Sequence, residues 1–125
     1  MELMVRVGVS DISRAKHFYD AITEIVGAPC TLNHPGLVAY GIGEGLLMIG
    51  RPAEGEPSIG NGVQVSFCVD DPAKAGRAYA TALDLGGGCA GPPGSRGRGR
   101  NRFYGAYFRD LDGNKLSVFT RTPEI

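Results

Sequence analysis

The chain has 125 residues, of which 42% are hydrophobic and 21% are charged. This composition is typical of a folded globular chain, and the length fits one domain with a buried core. Lys and Arg together number 13, as do Asp and Glu, so the formal net charge is zero. A neutral chain lacks the positive field with which proteins bind nucleic acids and anionic membranes, so we expect neither as a partner.

No apolar run approaches the ~20 residues that a membrane-spanning helix needs. The first residues, Met1 to Arg6, carry no signal-peptide pattern, so a cytoplasmic location is expected. The cysteines are Cys30, Cys68 and Cys89; they are widely spaced and form no CxxC pair. This pattern predicts reduced thiols rather than a disulfide framework or a zinc site.

The first half of the chain predicts four elements. Alternating apolar residues over Leu3–Val9 indicate a strand with one buried face. Asp11 can cap a helix, and apolar residues at helical spacing predict that helix over Ile12–Val26. Two short apolar runs, Leu37–Gly41 and Leu46–Ile49, are separated by a Gly-rich turn and predict a hairpin.

The second half repeats this pattern after a Pro- and Gly-rich linker over residues 53–62. A strand is predicted over Val63–Val69, and Asp71-Pro72 predicts a helix start. The Gly-, Pro- and Arg-rich stretch Ala90–Asn101 is predicted to be a loop. Tyr104–Phe119 predicts a closing hairpin, because Asp112-Gly113-Asn114 supplies the residues of a tight turn.

Both halves therefore give the order strand, helix, strand, strand. When the two halves are aligned so that Asp11 matches Asp71, Val9 matches Val69 and Tyr19 matches Tyr79. This repetition predicts a duplicated module, with residues 1–52 and 63–121 as the two copies within a single domain of residues 1–125.

Strand alternation also predicts a binding face. The odd positions of the two leading strands are apolar and should pack on the helices, so the even positions should line a cavity. Those even positions include Met4, Arg6, Gln64, Ser66 and Cys68. We expect such a cavity to bind a small ligand that is partly polar and partly aromatic.

Several other polar residues have structural explanations. Asp110 and Asp112 flank the closing turn and are assigned no further role, and Cys68 is predicted to fill the core, since no activating base is identifiable near it. The histidines, His17 and His34, are expected to be solvated or packed.

The strongest charge cluster is Ser95–Arg102, which contains four arginines. A solvated surface loop is the preferred interpretation. The alternatives are a lid whose arginines hold a carboxylate or phosphate at the cavity mouth, and an RNA-binding segment, which the zero net charge does not support. Tyr104 and Tyr107 follow, and either could stack on a ligand or pack in the core.

Two stretches, VGVSDISRAKHFY at Val7–Tyr19 and YFRDLDGNKLSV at Tyr107–Val118, resemble the first strand and helix and the closing hairpin of the vicinal oxygen chelate superfamily. That superfamily includes glyoxalase I, extradiol dioxygenases, and bleomycin and fosfomycin resistance proteins. The resemblance implies an α+β fold in which two βαβββ modules form a curved mixed sheet around a cavity. It also implies a homodimer.

The resemblance places the family's metal-ligand positions at Met4, Gln64, Ser117, and either Leu47 or Met48. Metal-dependent members have His and Glu at such positions, whereas this chain offers a thioether, an amide and a hydroxyl. Neutral donors of this kind are a poor set for a divalent transition metal. We therefore expect no metal and no cofactor.

The combined prediction is a small-molecule site without assigned catalytic residues, formed by Met4, Arg6, Gln64, Ser66, Arg102, Tyr104, Tyr107, Ser117 and Phe119. Three functions are compatible with it. The first is a metal-free binding protein like the antibiotic-resistance members, and the second is a lyase or isomerase like glyoxalase I. The third is a regulatory or scaffold module that has lost its ligand.

Overall fold

The computed structural model describes residues 1–121. The first half contains β1 (Met4–Gly8), α1 (Ile12–Val26), β2 (Cys30–His34), β3 (Leu37–Ile42) and β4 (Gly45–Gly50). The second half contains β5 (Gln64–Cys68), α2 (Pro72–Asp84), β6 (Gly88–Arg96), the 3-10 turn Gly99–Asn101, β7 (Phe103–Arg109) and β8 (Lys115–Thr120). Residues 51–63, which include the predicted linker, contain no helix or strand.

Each half forms its own four-stranded sheet with the same topology. The strand orders are β1-β4-β3-β2 and β5-β8-β7-β6. In each sheet the leading strand pairs in parallel with the last one, and the remaining pairs are antiparallel. The predicted α+β fold of two βαβββ modules is confirmed.

Both helices begin where the capping residues predict. The Asp11 carboxylate accepts a hydrogen bond from the backbone N–H of Arg14 at 3.1 Å, and the Asp71 carboxylate accepts one from Ala73 N at 2.9 Å. The bounds of α1 agree with the prediction, and it ends at Gly27, whose φ of 88° is the left-handed conformation that glycine adopts readily.

The edge strands β2 and β6 were not predicted from residue patterns. The expected loop over Ala90–Asn101 is wrong for its first part, because β6 continues to Arg96. The unpaired side of an edge strand needs no ladder hydrogen bonds and can accommodate one proline, but adjacent strand residues direct their N–H groups to opposite sides. Pro92 and Pro93 both fit because the pairing of β6 with β7 shifts register twice, the second time between Gly91 and Gly94. These features hide the strand from an alternation pattern.

The hydrophobic core lies between the sheets on one side and the two helices on the other, and α1 contacts α2. The odd positions of β1 and the corresponding positions of β4 and β8 are buried there, among them Val7, Ile49 and Val118. We call this side of each sheet the helix face and the other side the open face. None of the described helices is both long and apolar enough to cross a membrane.

Within the first half, a polar contact fixes α1 on the sheet. The Tyr40 hydroxyl on β3 donates a hydrogen bond to the Asp20 carboxylate on α1 at 2.7 Å, and the Lys16 ammonium also contacts that carboxylate. Burial, reinforced by the Asp20 hydrogen bond, raises the pKa of Tyr40 well above its ordinary value. Tyr40 therefore remains a donor to Asp20.

Asp110, which was assigned no role beyond the turn, joins the two halves. It is only 5% exposed, and its carboxylate accepts four hydrogen bonds. Two come from backbone N–H groups of the turn, one from the Asn114 amide, and one from the Tyr19 hydroxyl on α1 at 2.6 Å. Asn114 also donates to the Gly8 carbonyl at 2.9 Å. Burial, with the nearby Asp110 charge, raises the pKa of Tyr19, so its hydroxyl stays protonated as the donor.

Replacing Asp110 should destabilise the protein more than replacing its neighbour. Asp110→Ala leaves four donors without their acceptor, and we expect a loss of roughly 3 kcal/mol or more in the free energy of unfolding. Asp112→Ala removes one hydrogen bond, from Ser10 N at an exposed position, and should cost about 1 kcal/mol. Urea unfolding followed by circular dichroism measures both; equal losses would contradict the assigned role of Asp110.

Candidate functional site

The open face of the second sheet carries a cavity of about 430 Å³. Its wall comes from β5, β7, β8 and the segment before β7, and its lining residues are Gln64, Arg100, Asn101, Arg102, Phe103, Tyr107, Phe119 and Arg121. Strand alternation explains the lining residues that lie on strands. Tyr107, Ser117 and Ser66 are paired across the three strands, and Phe119 and Gln64 lie two positions from Ser117 and Ser66, on the same face. The cavity is large enough for a small organic molecule.

The polar part of this face is a chain of three neutral side chains. The Gln64 amide donates to the Ser66 hydroxyl at 2.8 Å, and the Ser117 hydroxyl donates to the same oxygen at 2.8 Å. Ser117 is 3% exposed, whereas Gln64 lies at the surface and lines the cavity. The three side chains thus form a hydrogen-bonded ladder that presents an amide to a ligand.

The apolar part of the cavity is aromatic. The rings of Phe103 and Phe119 meet edge to face, with centroids 5.8 Å apart. Gly105 lies opposite Phe119, and a Cβ at Gly105 would come within 2.7 Å of the Phe119 Cβ. The glycine therefore permits Phe119 to pack closely on β7. The Arg121 guanidinium stacks above Phe119 with Cζ 5.8 Å from the ring centroid.

The arginine segment, Ser95–Arg102, divides into two parts with different roles. Arg96 donates to the backbone carbonyls of Pro92, Gly94 and Gly105 and lies over the Tyr107 ring at 5.0 Å, so it holds the irregular β6–β7 pairing. Arg100 and Arg102 instead line the cavity and are exposed. Within residues 1–121 their guanidinium groups make neither an ion pair nor a hydrogen bond to another side chain.

The structure brings together six of the predicted site residues: Gln64, Ser66, Arg102, Tyr107, Ser117 and Phe119. Three others lie elsewhere. Met4 and Arg6 lie on β1, in the first sheet, where the Arg6 guanidinium donates to the Arg51 carbonyl at 2.8 Å. Tyr104 lies on the helix face of β7 and packs against the core, because it is three residues from Tyr107 and so points the opposite way.

Strand parity corrects the expectation for Cys68 and separates the alternatives Leu47 and Met48. Cys68 was predicted to fill the core, but its thiol is exposed, because it shares the open face with Gln64 and Ser66. Met48 pairs with Arg6 on the open face of the first sheet, whereas Leu47 is buried in the core. Of these two candidates, only Met48 lies on an open face, and it does not line the second-sheet cavity.

Four lining residues were missed: Arg100, Asn101, Phe103 and Arg121. Phe103 could have been found, because it has the same strand parity as Tyr107. Arg100 belongs to the charged cluster that the sequence does indicate. No sequence signal was available for Arg121, which follows the last strand and reaches the cavity only because β8 ends beside it.

The donor set does not fit the metal that the family resemblance implies. Gln64 and Ser117 meet only through Ser66, and both are hydrogen-bonded to it, while Met4 belongs to the other sheet. An amide and two hydroxyls carry no negative charge to offset the dehydration of a divalent cation. Within residues 1–121, no three His, Cys, Asp or Glu side chains lie close enough to hold a metal ion.

Comparisons with known proteins agree with this architecture. The sequence model of the Glyoxalase/Bleomycin resistance protein/Dioxygenase superfamily matches residues 3–118, and the chain belongs to this family. No curated protein matches the chain.

Solved structures show the same fold. A glyoxalase/bleomycin resistance protein from Albidiferax ferrireducens is 32% identical, with a TM-score of 0.85 over 95% of this chain and 97% of that one. A glyoxalase/bleomycin resistance protein/dioxygenase family enzyme from Burkholderia phytofirmans is 15% identical, with a TM-score of 0.71 over 95% and 97%. TioX from Micromonospora sp. is 18% identical, with a TM-score of 0.67 over 98% and 99%. The latter two similarities concern the fold alone.

The neutral donor set predicts the metal content. Protein purified without chelators should contain no stoichiometric Ni, Zn, Fe or Mn by elemental analysis, because nothing in the set balances the charge of the ion. Gln64→Ala should leave any trace content unchanged. A stoichiometric metal that disappears in Gln64→Ala would overturn this prediction.

Proposed function

We propose that this protein binds a small organic molecule in the open-face cavity of its second sheet, without the metal used by metal-dependent relatives. The observation that carries the proposal is the Gln64–Ser66–Ser117 ladder, whose neutral side chains are hydrogen-bonded to one another beside the cavity. The family resemblance assigns metal-ligand positions to two of its members, Gln64 and Ser117. The ladder can hydrogen-bond to an organic ligand, and Phe119, Phe103 and Tyr107 can cover its apolar part.

A glyoxalase-type lyase or isomerase is not favoured by any observation at this site. That chemistry stabilises an enediolate with a Lewis acid, and the amide and hydroxyls of this ladder are neutral hydrogen-bonding groups. The lyase alternative therefore stays a prediction from family resemblance. Binding alone requires only the cavity, its aromatic wall and its polar anchors.

Ligand screening by NMR tests the proposal. Neutral, anionic and cationic aromatic compounds, thiol adducts and glycopeptide antibiotics are added to isotope-labelled protein. A true ligand should shift the amide signals of Gln64, Tyr107, Ser117 and Phe119, because these residues lie in or beside the cavity wall. Phe119→Ala should weaken binding about tenfold or more through lost aromatic contact.

Leu83→Ala serves as the control, because Leu83 lies on α2 and outside the cavity. It should leave the affinity within about twofold of the parent protein. Signals that shift only around the first sheet, or an affinity that Phe119→Ala leaves unchanged, would contradict the proposed location.

We also propose that two copies of the chain associate. Large apolar side chains are exposed near the starts of β1 and β5: Leu3 is 70% exposed, Met4 56% and Val63 64%. Large apolar side chains exposed to this degree are typical of interaction surfaces. The family resemblance, which implies a homodimer, supports a second copy as the occupant, and pairing would cover Met4 on the open face of β1.

Light scattering coupled to size-exclusion chromatography should therefore give twice the mass of one chain. The double variant Leu3→Lys/Met4→Lys should elute as a monomer, because it places two charges in the apolar surface. Leu83→Lys, which adds a charge to an exposed position on α2, should remain dimeric. A monomeric parent protein, or a dimer unaffected by the double variant, would refute the assigned surface.

A further inference from the structure

The second-sheet cavity has a marked charge asymmetry. Three of its lining residues are cationic, namely Arg100, Arg102 and Arg121, and none of the lining residues within 1–121 is acidic. The chain as a whole is neutral, so this concentration of positive charge is local. The amides of Gln64 and Asn101, which also line the cavity, are uncharged.

The arginines near the cavity differ in whether their donors are already used. Arg96 donates to three backbone carbonyls, and Arg109 donates to the Gly113 carbonyl at 2.8 Å. Arg100 and Arg102 have no such partners within residues 1–121, and both line the cavity. Their guanidinium groups are therefore available to a ligand, and guanidinium forks match the geometry of planar oxyanions.

The aromatic groups lie next to these cations. Phe103 directly follows Arg102, and its ring meets the Phe119 ring edge to face. The Arg121 guanidinium stacks on Phe119. A ligand that fills this cavity would thus meet an aromatic wall and a cationic rim at once. A molecule with a flat apolar body and one acidic group satisfies both.

On the basis of the proposed function, we infer that the ligand is an aromatic carboxylate or a related aromatic oxyanion, with its acidic group held by Arg100 and Arg102. The aromatic body lies against Phe103, Tyr107 and Phe119, and the Gln64 amide contacts a polar substituent. Arg100 and Arg102 thus have a role in ligand selection, whereas Arg96 maintains the strand pairing.

The matched probes 2-naphthoate and 2-naphthamide separate charge from shape, because they have the same ring system and differ in the ionised group. Isothermal titration calorimetry should show 2-naphthoate binding about tenfold or more tightly than 2-naphthamide. The preference should shrink as NaCl is raised, since the arginines are exposed and their field is screened.

Charge-removing variants locate the effect. Arg100→Gln/Arg102→Gln should weaken 2-naphthoate about tenfold or more and leave 2-naphthamide within about twofold. Arg77→Gln/Arg98→Gln is the matched control, because it also removes two positive charges from exposed positions and neither residue lines the cavity. It should leave both affinities within about twofold, which excludes a general effect of net charge.

The outcomes distinguish this inference from the proposed function. Equal affinities for the two probes, or a 2-naphthoate affinity that the double variant leaves unchanged, would overturn the anionic ligand class. If Phe119→Ala still weakened both probes, the cavity would remain the binding site. If neither probe bound while neutral or cationic compounds in the NMR screen did, the inference would fail and the proposed function would stand. If no compound shifted the cavity signals, both would fail.

Discussion

The buried carboxylate of Asp110 determines how the two halves of this protein meet. It accepts a hydrogen bond from Tyr19 in the first half while organising the turn between β7 and β8 in the second. Asn114 extends the link to the Gly8 carbonyl. A buried carboxylate without hydrogen-bond donors would destabilise the fold. Asp110 therefore depends on its four donors, and the buried donors depend on Asp110 as their acceptor. The turn is thereby fixed against α1, and the strands that carry Tyr107, Ser117 and Phe119 start and end at this turn.

The two faces of each strand have separate tasks. Side chains on the helix face, such as Val7, Phe67 and Val118, form the core and hold the fold. Side chains on the open face, such as Gln64, Ser66 and Ser117, contribute little to that core. Because strand residues alternate between faces, the open face can change its chemistry while the helix face maintains the architecture. A chain can thus belong to the glyoxalase/bleomycin resistance/dioxygenase family and present neutral hydrogen-bonding groups on its open face.

The positive charges at the site come from segments outside the strands, not from the strands themselves. The strands contribute the neutral Gln64–Ser66–Ser117 ladder, whereas Arg100 and Arg102 lie in the segment that follows β6 and Arg121 follows β8. Arg96 uses its donors on backbone carbonyls, and this anchoring sets the point from which the segment turns back toward β7. The remaining cations, Arg100 and Arg102, are then positioned beside the aromatic wall. A loop that begins at a fixed strand and ends at another can differ in sequence without altering the sheet.

The sequence by itself determined the framework of this protein. Capping at Asp11 and Asp71, alternation in β1 and β5, and the turn at Gly113 are local signals, and each specifies the conformation of its own residues. Tertiary structure decided the rest. The irregular edge strand β6 is stabilised by its pairing with β7, and Asp110 acquires its role only when Tyr19 is brought to it from the other half. The same holds for the site: Met4 and Gln64 occupy equivalent positions of the repeat, yet only Gln64 lies in the sheet that forms the cavity. Contacts between residues distant in the chain depend on how complete elements pack, and no local pattern contains that information.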